Sequence, residues 1–450
     1  MKIKITEKNI CVFLMTLLCF LDMDPFFVWS TVSSMGYRIY TGVILVTTAY
    51  MLYMTFLNKQ FVACPVPGVF EFRRVHVPLF LSSTIVVLLF FYKVFCSGVV
   101  TETQQPFNLA MLCIHLGLML FILQDNLTLR SVYRATKIVF ALSLIPALFV
   151  FLLMQAGISL PHIVLSADSG KDLTGQSYEL YLGLSTMLRN PNGLLNRLCG
   201  MYREPGFVGT IGALFLLGDK MSFRKWENVV ILLACLCTFS LAFFVLLILG
   251  LLLRAVGNMR KRSSAVASLV LIFAVVVGYL VFMSLPLNPD SMLGELQGRL
   301  VITEDLGLAG DNRFGSSEWA EEAYDAFMKG STKEKLLGYG VDLRVVPGTK
   351  INIWQTVCSY KEFVFGFGFL GLGIVVLGLV LSVLTKYRKV PMGQKRNIMV
   401  LLIVFLISIY QRYGVTSFHY YCVLFGGASN LALMDFGAEE TGGKRILFCR

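Results

Sequence analysis

The stretch 196–211, NRLCGMYREPGFVGTI, contains the side chains of this sequence that are best suited to chemistry on an anion. Arg197 and Arg203 carry guanidinium groups, Glu204 carries a carboxylate, and a Pro-Gly pair leads into an apolar run. Proline favours the first position of a helix, where backbone N–H groups and the helix dipole attract negative charge. Two guanidinium groups beside such a helix start predict a phosphate site at a membrane surface. The alternative is a membrane helix whose arginines extend to the interface.

Composition places these residues in a membrane protein. Of the 450 residues, 56% are hydrophobic and only 15% are charged, whereas about one quarter of a soluble domain is charged. The first apolar segment contains Asp22 and Asp24 and lacks a small-residue cleavage site, so a retained helix is predicted rather than a signal peptide. Apolar segments near the bilayer-spanning length are predicted at 9–30, 37–57, 77–95, 107–124, 136–157, 206–219, 228–256, 264–284, 361–385, 397–411 and 415–434.

Clusters of Lys and Arg in the short connections determine the predicted topology, because such clusters stay in the cytoplasm. All of them lie inside only if the segment 228–256 crosses the membrane twice, with a turn near Ser240. The sequence therefore predicts an all-α polytopic membrane protein with about twelve transmembrane helices and both termini in the cytoplasm. The net charge of +12 follows from this topology, and no nucleic-acid partner is predicted.

Two long loops on the outer side divide the predicted chain into five parts. Loops of this length are usually functional or disordered, and between membrane helices a functional role is favoured. The parts are five transmembrane helices in 1–157, the first long loop in 158–205, helices six to nine in 206–284, the second long loop in 285–360, and three helices with a cytoplasmic tail in 361–450.

Each long loop has one predicted element of secondary structure. Apolar and polar residues alternate over 178–184, which predicts a short strand or an extended stretch on the membrane surface. A helix is predicted from Ser317 to Gly330, with acidic residues in its first turn. Trp319, Ala323 and Phe327 give this helix one apolar face, as in helices that lie on a membrane or over a cavity.

Metal and cofactor motifs are absent from the sequence. Asp22 and Asp24 form a D-x-D pair, which can hold a divalent metal, but carboxylates at a helix end in the interface are the favoured interpretation. No two of the four histidines have metal-ligand spacing. There is also no P-loop, G-x-S-x-G or dinucleotide fingerprint, so neither a metal nor a cofactor is predicted.

Three motifs occur in an order that a known family shares. The stretch 196–209 has Arg, Gly and Glu-Pro-Gly at the end of a long outer loop. The second loop has Arg313, Trp319 and then Gly338-Tyr-Gly, and 363–373 is a glycine-rich helix start. This order resembles the superfamily of O-antigen polymerases and O-antigen ligases, which are bacterial inner-membrane proteins. The resemblance covers residues 180–375 and implies a GT-C-like fold whose long loops are periplasmic.

The resemblance implies that a glycan is transferred from undecaprenyl pyrophosphate, without a metal, to the next lipid-linked repeat unit. The pyrophosphate leaves with growing negative charge, which fixed guanidinium groups can stabilise. Arg203 and the following helix start are predicted to bind it, and Glu204 is the candidate base for the acceptor hydroxyl. The alternative for Glu204 is structural, as a partner of Arg203 or a helix cap. The further residues predicted to bind substrate are Arg189, Arg197, Arg299, Arg313 and Tyr339.

The resemblance leaves three classes of function open. Ligases of the family carry a histidine before the glycine-rich helix, and residues 285–360 contain none, which favours a polymerase over a ligase. The implied partners are an undecaprenyl-pyrophosphate-linked oligosaccharide, membrane lipid and a chain-length regulator. A flippase or another transporter is the hypothesis from a second class, and it predicts charged residues at mid-membrane and repeated halves. A non-enzymatic assembly partner is the third.

Overall fold

Helices make up most of the described chain. A computed structural model describes residues 7–29, 33–53, 77–95, 105–123, 125–165, 177–189, 196–257, 277–288, 292–301, 318–339, 360–411 and 417–434, together with positions 266, 270 and 273. Within these residues three helices are long and apolar enough to span a membrane: Asn126–Gln155, Phe363–Lys386 and Met392–Tyr410. Shorter apolar helices accompany them. The protein is therefore a mostly helical chain of membrane-protein character, and the number of twelve spans stays a prediction.

A single small sheet interrupts the series of described helices between α6 and α7. The elements in chain order are α1 (Glu7–Asp22), α2 (Phe26–Trp29), α3 (Ser33–Leu52), α4 (Val77–Phe95), α5 (Gln105–Ile122), α6 (Asn126–Gln155), β1 (His162–Leu165), β2 (Ser177–Tyr181), β3 (Ser185–Arg189), β4 (Arg197–Gly200), α7 (Pro205–Gly218), α8 (Trp226–Cys237), α9 (Leu241–Gly257), α10 (Met292–Arg299), α11 (Glu318–Lys329), α12 (Thr332–Leu337), α13 (Tyr360–Lys386), α14 (Met392–Gln411) and α15 (Phe418–Ala432).

The first apolar segment, predicted as one helix over 9–30, is interrupted. Helix α1 ends at Asp22, and Asp24 has a φ of +56°, which no residue of a right-handed helix adopts. Pro25 explains the break, because proline disfavours helical backbone in the residue before it and cannot donate to the preceding turn. The short helix α2 begins only after this proline.

The first predicted long loop contains a four-stranded antiparallel sheet in the order β1-β2-β3-β4, within a chain that is otherwise mostly helical. Strands β2 and β3 form a hairpin that pairs Ser177 with Arg189 and Tyr181 with Ser185. Leu182 and Gly183 reverse the chain with φ values of +54° and +66°. The sequence predicted one short strand or an extended stretch here, because leucines continue the alternation of apolar and polar residues through the turn.

One face of this sheet is packed into an apolar core. The buried side chains that it contributes belong to all four strands, and Phe26 packs against them from α2. Burial of this face stabilises a sheet of only four short strands, which would be marginal by itself. The core residues are Leu165, Tyr178, Leu180, Leu188 and Cys199.

The chain divides into two compact units. Unit 1 comprises Met1–Met23, Arg38–Lys137 and Trp319–Arg450, and unit 2 comprises Asp24–Tyr37 and Ile138–Glu318. Within unit 2, α7 is buried from Val208 to Gly218 and contacts α8, α9 and β4.

Helices α8 and α9 form a hairpin against α7. The thiol of Cys235, near the end of α8, donates to the carbonyl of Val208, near the start of α7, so these two helices run antiparallel. Gly250, in the second half of α9, lies against Leu217 near the end of α7, so α9 runs parallel to α7. The chain therefore reverses between α8 and α9, where the sequence predicts a turn near Ser240. That both helices cross the membrane stays a prediction.

Within unit 1, the glycine-rich helix α13 is broken where the second loop packs on it. Gly368 has a φ of +68°, and a Cβ there would lie 2.0 Å from the carbonyl oxygen of Leu336. The N–H of Tyr339 donates to the carbonyl of Phe365 at 2.6 Å, in place of a hydrogen bond within α13. The preceding helix α11 lies where the sequence predicts a helix, and its Phe327 is fully buried.

Candidate functional site

The segment between β4 and α7 is held in place by Tyr202. Its backbone bridges to Pro25, and its carbonyl accepts a hydrogen bond from Thr186 Oγ1 at 3.1 Å. Its hydroxyl lies 2.9 Å from Ser143 Oγ. Burial raises the pKa of the Tyr202 phenol above its ordinary value, so this side chain stays neutral. The backbone from which the next two residues, Arg203 and Glu204, extend is therefore held in place.

Arg203, the first of these two residues, pairs with Asp24. Its Nη1 lies 4.0 Å from Asp24 Oδ2, and the two side chains are 42% and 43% exposed. A half-exposed ion pair at this distance is weak, so an incoming anion can compete for the guanidinium group. Asp24 was not predicted as a partner of Arg203, and the one signal for it in the sequence is the proline that follows it.

Glu204, the second residue, is the N-cap of α7. Its backbone is extended, and Pro205 occupies the first turn, as the sequence predicts. The side chain makes no capping hydrogen bond, so the structural alternative in which it caps the helix is wrong. Arg203 and Glu204 thus place a guanidinium group and a half-buried carboxylate on consecutive residues at the positive end of a buried helix.

Arg197 is directed toward the end of α8. Its Nε donates to the carbonyl of Thr238 at 3.0 Å, and its Nη2 donates to the carbonyl of Phe239 at 3.3 Å. Carbonyl groups at a helix C-terminus lack partners within the helix, and a guanidinium group satisfies them and complements the dipole. This contact gives Arg197 a structural role, and its role in substrate binding stays a prediction.

Arg189 belongs to a polar cluster on the other face of the sheet. It donates to Glu179 Oε1 at 3.0 Å, Tyr181 donates to Oε2 at 2.5 Å, and His162 Nε2 lies 3.6 Å from Oε1. Glu179 is only 3% exposed, while Arg189 is 56% exposed. Burial and the hydrogen bond to Glu179 raise the pKa of Tyr181. The sequence predicted Arg189 alone, because the pairing of β1, β2 and β3 assembles the rest.

The remaining predicted residues have different settings. Tyr339 belongs to unit 1, where its ring packs edge to face on Phe327 with centroids 5.4 Å apart. The side chain of Tyr339 is buried against Phe327 and Phe365, and burial raises the pKa of its phenol. Arg299 closes α10, but its side chain lies outside the described residues, as does all of Arg313.

A partly buried polar network in unit 1 was missed by the sequence prediction. Asp22 of α1 accepts from the hydroxyl of Tyr40 of α3 at 2.7 Å and lies 2.7 Å from the Nδ1 of His419 of α15. His115 Nε2 of α5 lies 3.1 Å from the Tyr40 hydroxyl. The signal for this network was an aspartate and histidines inside apolar segments, which are costly there and usually functional.

No protein-family model, curated protein or solved structure matches this chain.

Among the described residues, no group of three or more His, Cys, Asp and Glu side chains is arranged to hold a metal. The two aspartates of the D-x-D pair have separate partners, since Asp22 contacts His419 and Asp24 contacts Arg203. The function is therefore inferred from the sequence motifs and from these side-chain contacts.

Proposed function

We propose that this chain is a membrane glycosyltransferase of the O-antigen polymerase type. It would extend a glycan at the periplasmic face of the bacterial inner membrane, using undecaprenyl-pyrophosphate-linked repeat units. The observation that carries the proposal is the Arg203–Glu204 pair, which lies where the four-stranded sheet ends and the buried apolar helix α7 begins. A lipid pyrophosphate presents both an anion and an apolar chain, and such a junction suits both.

The proposed reaction assigns one step to each side chain. The Glu204 carboxylate takes the proton of the acceptor hydroxyl as that oxygen bonds to the anomeric carbon of the donor glycan. The bond from the anomeric carbon to the pyrophosphate oxygen breaks, and the lipid pyrophosphate leaves with the electron pair. Arg203 and the N–H groups at the start of α7 stabilise the negative charge that develops there. The proton passes from Glu204 to water before the next cycle.

The weak pairing of Arg203 supports this role. A guanidinium group buried in a strong ion pair would have to give up that pair before it could bind pyrophosphate. Arg203 is half exposed and 4.0 Å from its carboxylate partner, so a dianionic group can replace Asp24 at small cost. Arg197, which binds two helix carbonyls, is a positioning residue in this proposal, because it joins β4 to the α8–α9 turn.

The test is the glycan profile of cells that carry Arg203→Ala or Glu204→Gln, beside the wild type and a deletion. We expect a ladder of long chains in the wild type and core plus one repeat unit in the deletion. Each variant should lose about 100-fold or more of polymerisation, as removal of a transition-state contact usually does. Arg203→Lys should retain part of the activity, because it keeps the charge but loses the planar guanidinium.

A matched control is Arg224→Ala, which removes an exposed arginine after the far end of α7. It should leave the ladder unchanged at equal protein level. A full ladder in Arg203→Ala, with the deletion defective, would remove Arg203 from the site while leaving the family proposal intact. Loss of even the single capped unit in the deletion would instead indicate a ligase or a flippase.

A transporter or flippase is the second candidate, and one observation favours it. The Asp22–His419 pair places ionisable groups among the apolar helices of unit 1, as expected of ion-coupled transporters. Transport of lipid-linked units across vesicle membranes by the purified protein, with no glycan elongation in the same preparation, would favour this candidate over the polymerase.

A further inference from the structure

The sheet of unit 2 has an exposed apolar end at the turn between β2 and β3. Leu182, Gly183 and Leu184 form this turn, which we call the hairpin tip, and its two leucines are 55% and 49% exposed. The first residues of β1 lie at the same end of the sheet, because His162 pairs with Tyr181. An exposed surface of this kind favours an apolar partner over water.

The opposite end of the same hairpin is polar. Ser177 pairs with Arg189 there, four residues along β2 from Tyr181, which is about 14 Å in an extended strand. The guanidinium group of Arg189 is exposed, and Arg197 begins β4 at this same end. The sheet therefore changes along its strands from a charged end to an apolar tip.

Strand β4 runs beside α6, one of the helices that are long and apolar enough to span a membrane. At the polar end, Arg197 donates to the carbonyl of Phe239, whose ring lies 6.3 Å from that of Phe151 in α6. At the other end of β4, a Cβ on Gly200 would lie 2.7 Å from Leu144 Cδ2. All of these residues belong to unit 2. The strand therefore follows α6 away from the C-terminal end of that helix.

The contact with Leu144 gives the level of the hairpin tip along α6. Leu144 lies 11 residues before Gln155, the last residue of the helix, which is about 16 Å along its axis. Thr186 pairs with Gly200, and the tip lies beyond Thr186 in the same direction. Because about 20 residues of helix cross the apolar part of a bilayer, the tip is level with the interior of the span.

Helix α6 presents an exposed apolar stripe over this same part of its length. Its members recur at intervals of three and four residues, which places them on one face of the helix. An apolar stripe on a spanning helix faces lipid. The hairpin tip continues this lipid-facing surface from the helix to the sheet. The stripe consists of Leu142, Ile145, Phe149 and Leu152.

We propose that the hairpin tip is inserted into the lipid bilayer that α6 spans, with Leu182 and Leu184 among the acyl chains and Arg189 in water. The backbone of the tip suits this environment, because the N–H of Leu184 donates to the carbonyl of Tyr181 at 3.1 Å. The sheet is thereby anchored to the membrane at a second point besides α6. The proposal does not depend on the glycosyltransferase function, since membrane lipid is the only partner that it needs.

Photolabelling of the full wild-type chain tests the proposal without a substitution. The protein is placed in nanodiscs whose phospholipids carry a diazirine in the acyl chain, and the labelled peptides are identified by mass spectrometry after illumination. We expect lipid adducts at residues 182–184 and on the exposed stripe of α6, which is the positive control. Residues 177 and 189, at the polar end of the hairpin, should carry none. A labelled stripe with an unlabelled tip would overturn the proposal.

A benzophenone amino acid in place of Leu182 identifies what covers the tip. A lipid adduct supports the proposal, whereas a cross-link that doubles the mass of the chain indicates a second copy and overturns it. A cross-link to another segment of the same chain overturns it as well. The matched control carries the benzophenone in place of Ser177, at the other end of β2, and should give no lipid adduct.

A charged tip provides a further variant. In the chain with Leu182→Asp and Leu184→Asp, the diazirine lipid should no longer label the tip, because carboxylates are costly among acyl chains. Labelling of the α6 stripe should persist, which shows that the variant remains folded in the bilayer. Lipid adducts that persist at the charged tip would show that its position is imposed by the rest of unit 2, and not by insertion of the leucines.

Discussion

Asp22 and Asp24 are two residues apart in the sequence, but they have opposite environments. Asp22 is only 10% exposed in unit 1, where it accepts hydrogen bonds from Tyr40 and from His419, a residue 397 positions away. Asp24 is 43% exposed in unit 2 and pairs loosely with Arg203. The break at Pro25 separates them, because α1 ends at the first aspartate and the chain turns sharply at the second.

The comparison shows that the role of a carboxylate is determined by its neighbours in space and not by the local sequence motif. A D-x-D pair looks like one site in the sequence, yet each aspartate has its own partners. Burial with several donors fixes Asp22 and makes it costly to change. Partial exposure leaves Asp24 adaptable, which suits a residue beside the arginine that is proposed to bind pyrophosphate.

The largest expected effect is the difference in stability between Asp22→Asn and Asp24→Asn. An amide at position 22 turns an NH₂ group toward buried donors, which should cost about 2 to 3 kcal/mol of unfolding free energy. At position 24 the loss should be below about 1 kcal/mol, because the ion pair is half exposed. Thermal unfolding in detergent measures both variants, and equal losses would show that burial does not distinguish the two aspartates.

Glu179 tests whether the loss of stability on removal of a carboxylate depends on its burial or on the unit in which it lies. It lies in unit 2 with Asp24 but is buried like Asp22, and its partners include Arg189 and Tyr181. Glu179→Ala should therefore destabilise the protein by about 2 kcal/mol, because the donors lose a buried partner. Arg189→Ala, at the exposed end of the same pair, is the control and should cost about 1 kcal/mol or less. A near-neutral Glu179→Ala would contradict the burial argument.

Two arginines of unit 2 extend the comparison to cations. Arg197 binds the carbonyls of Thr238 and Phe239, so Arg197→Ala should lower the unfolding free energy by about 1 to 2 kcal/mol. Arg203→Ala removes only a weak pair and should cost less than about 1 kcal/mol while it abolishes activity. Unfolding curves and glycan ladders on the same samples decide this. The reverse order of stability losses would show that Arg203 is the structural arginine.

The smallest expected effect concerns the backbone of Asp24. Its φ of +56° is easy for glycine and unfavourable for alanine. Asp24→Gly should therefore be more stable than Asp24→Ala by about 1 kcal/mol, although both lose the carboxylate. The same pair of substitutions at position 22, the last residue of α1, should favour alanine. The unfolding free energies of the four variants, measured in parallel, give the sign of each difference.

Sequence patterns predicted several elements of the fold well where the signal was local. Proline after Glu204 marked the start of α7, and acidic residues after position 317 marked α11. The charge clusters predicted the turn between α8 and α9. The sheet was predicted only in part, because its strands are short and the leucine at position 182 continues the apolar alternation through the hairpin turn.

The candidate site was predicted as a list of residues but without its pairings. Arg203 and Glu204 are neighbours in the chain, so their proximity needed no fold. Asp24, by contrast, reaches Arg203 because Pro25 bridges to Tyr202, a pairing between distant segments. His419 and Asp22 come from opposite ends of the chain, and no local pattern could have joined them.

By itself the sequence determined the membrane character, most of the helices and the start of α7, because hydropathy, proline and capping preferences act over a few residues. The tertiary structure alone decided which arginine holds a helix end, which remains half exposed, and which aspartate is buried among histidines. Those outcomes depend on contacts between segments that are 41 to 397 residues apart. Burial sets the strength of each such contact, because removal from water raises the cost of an unpaired polar group.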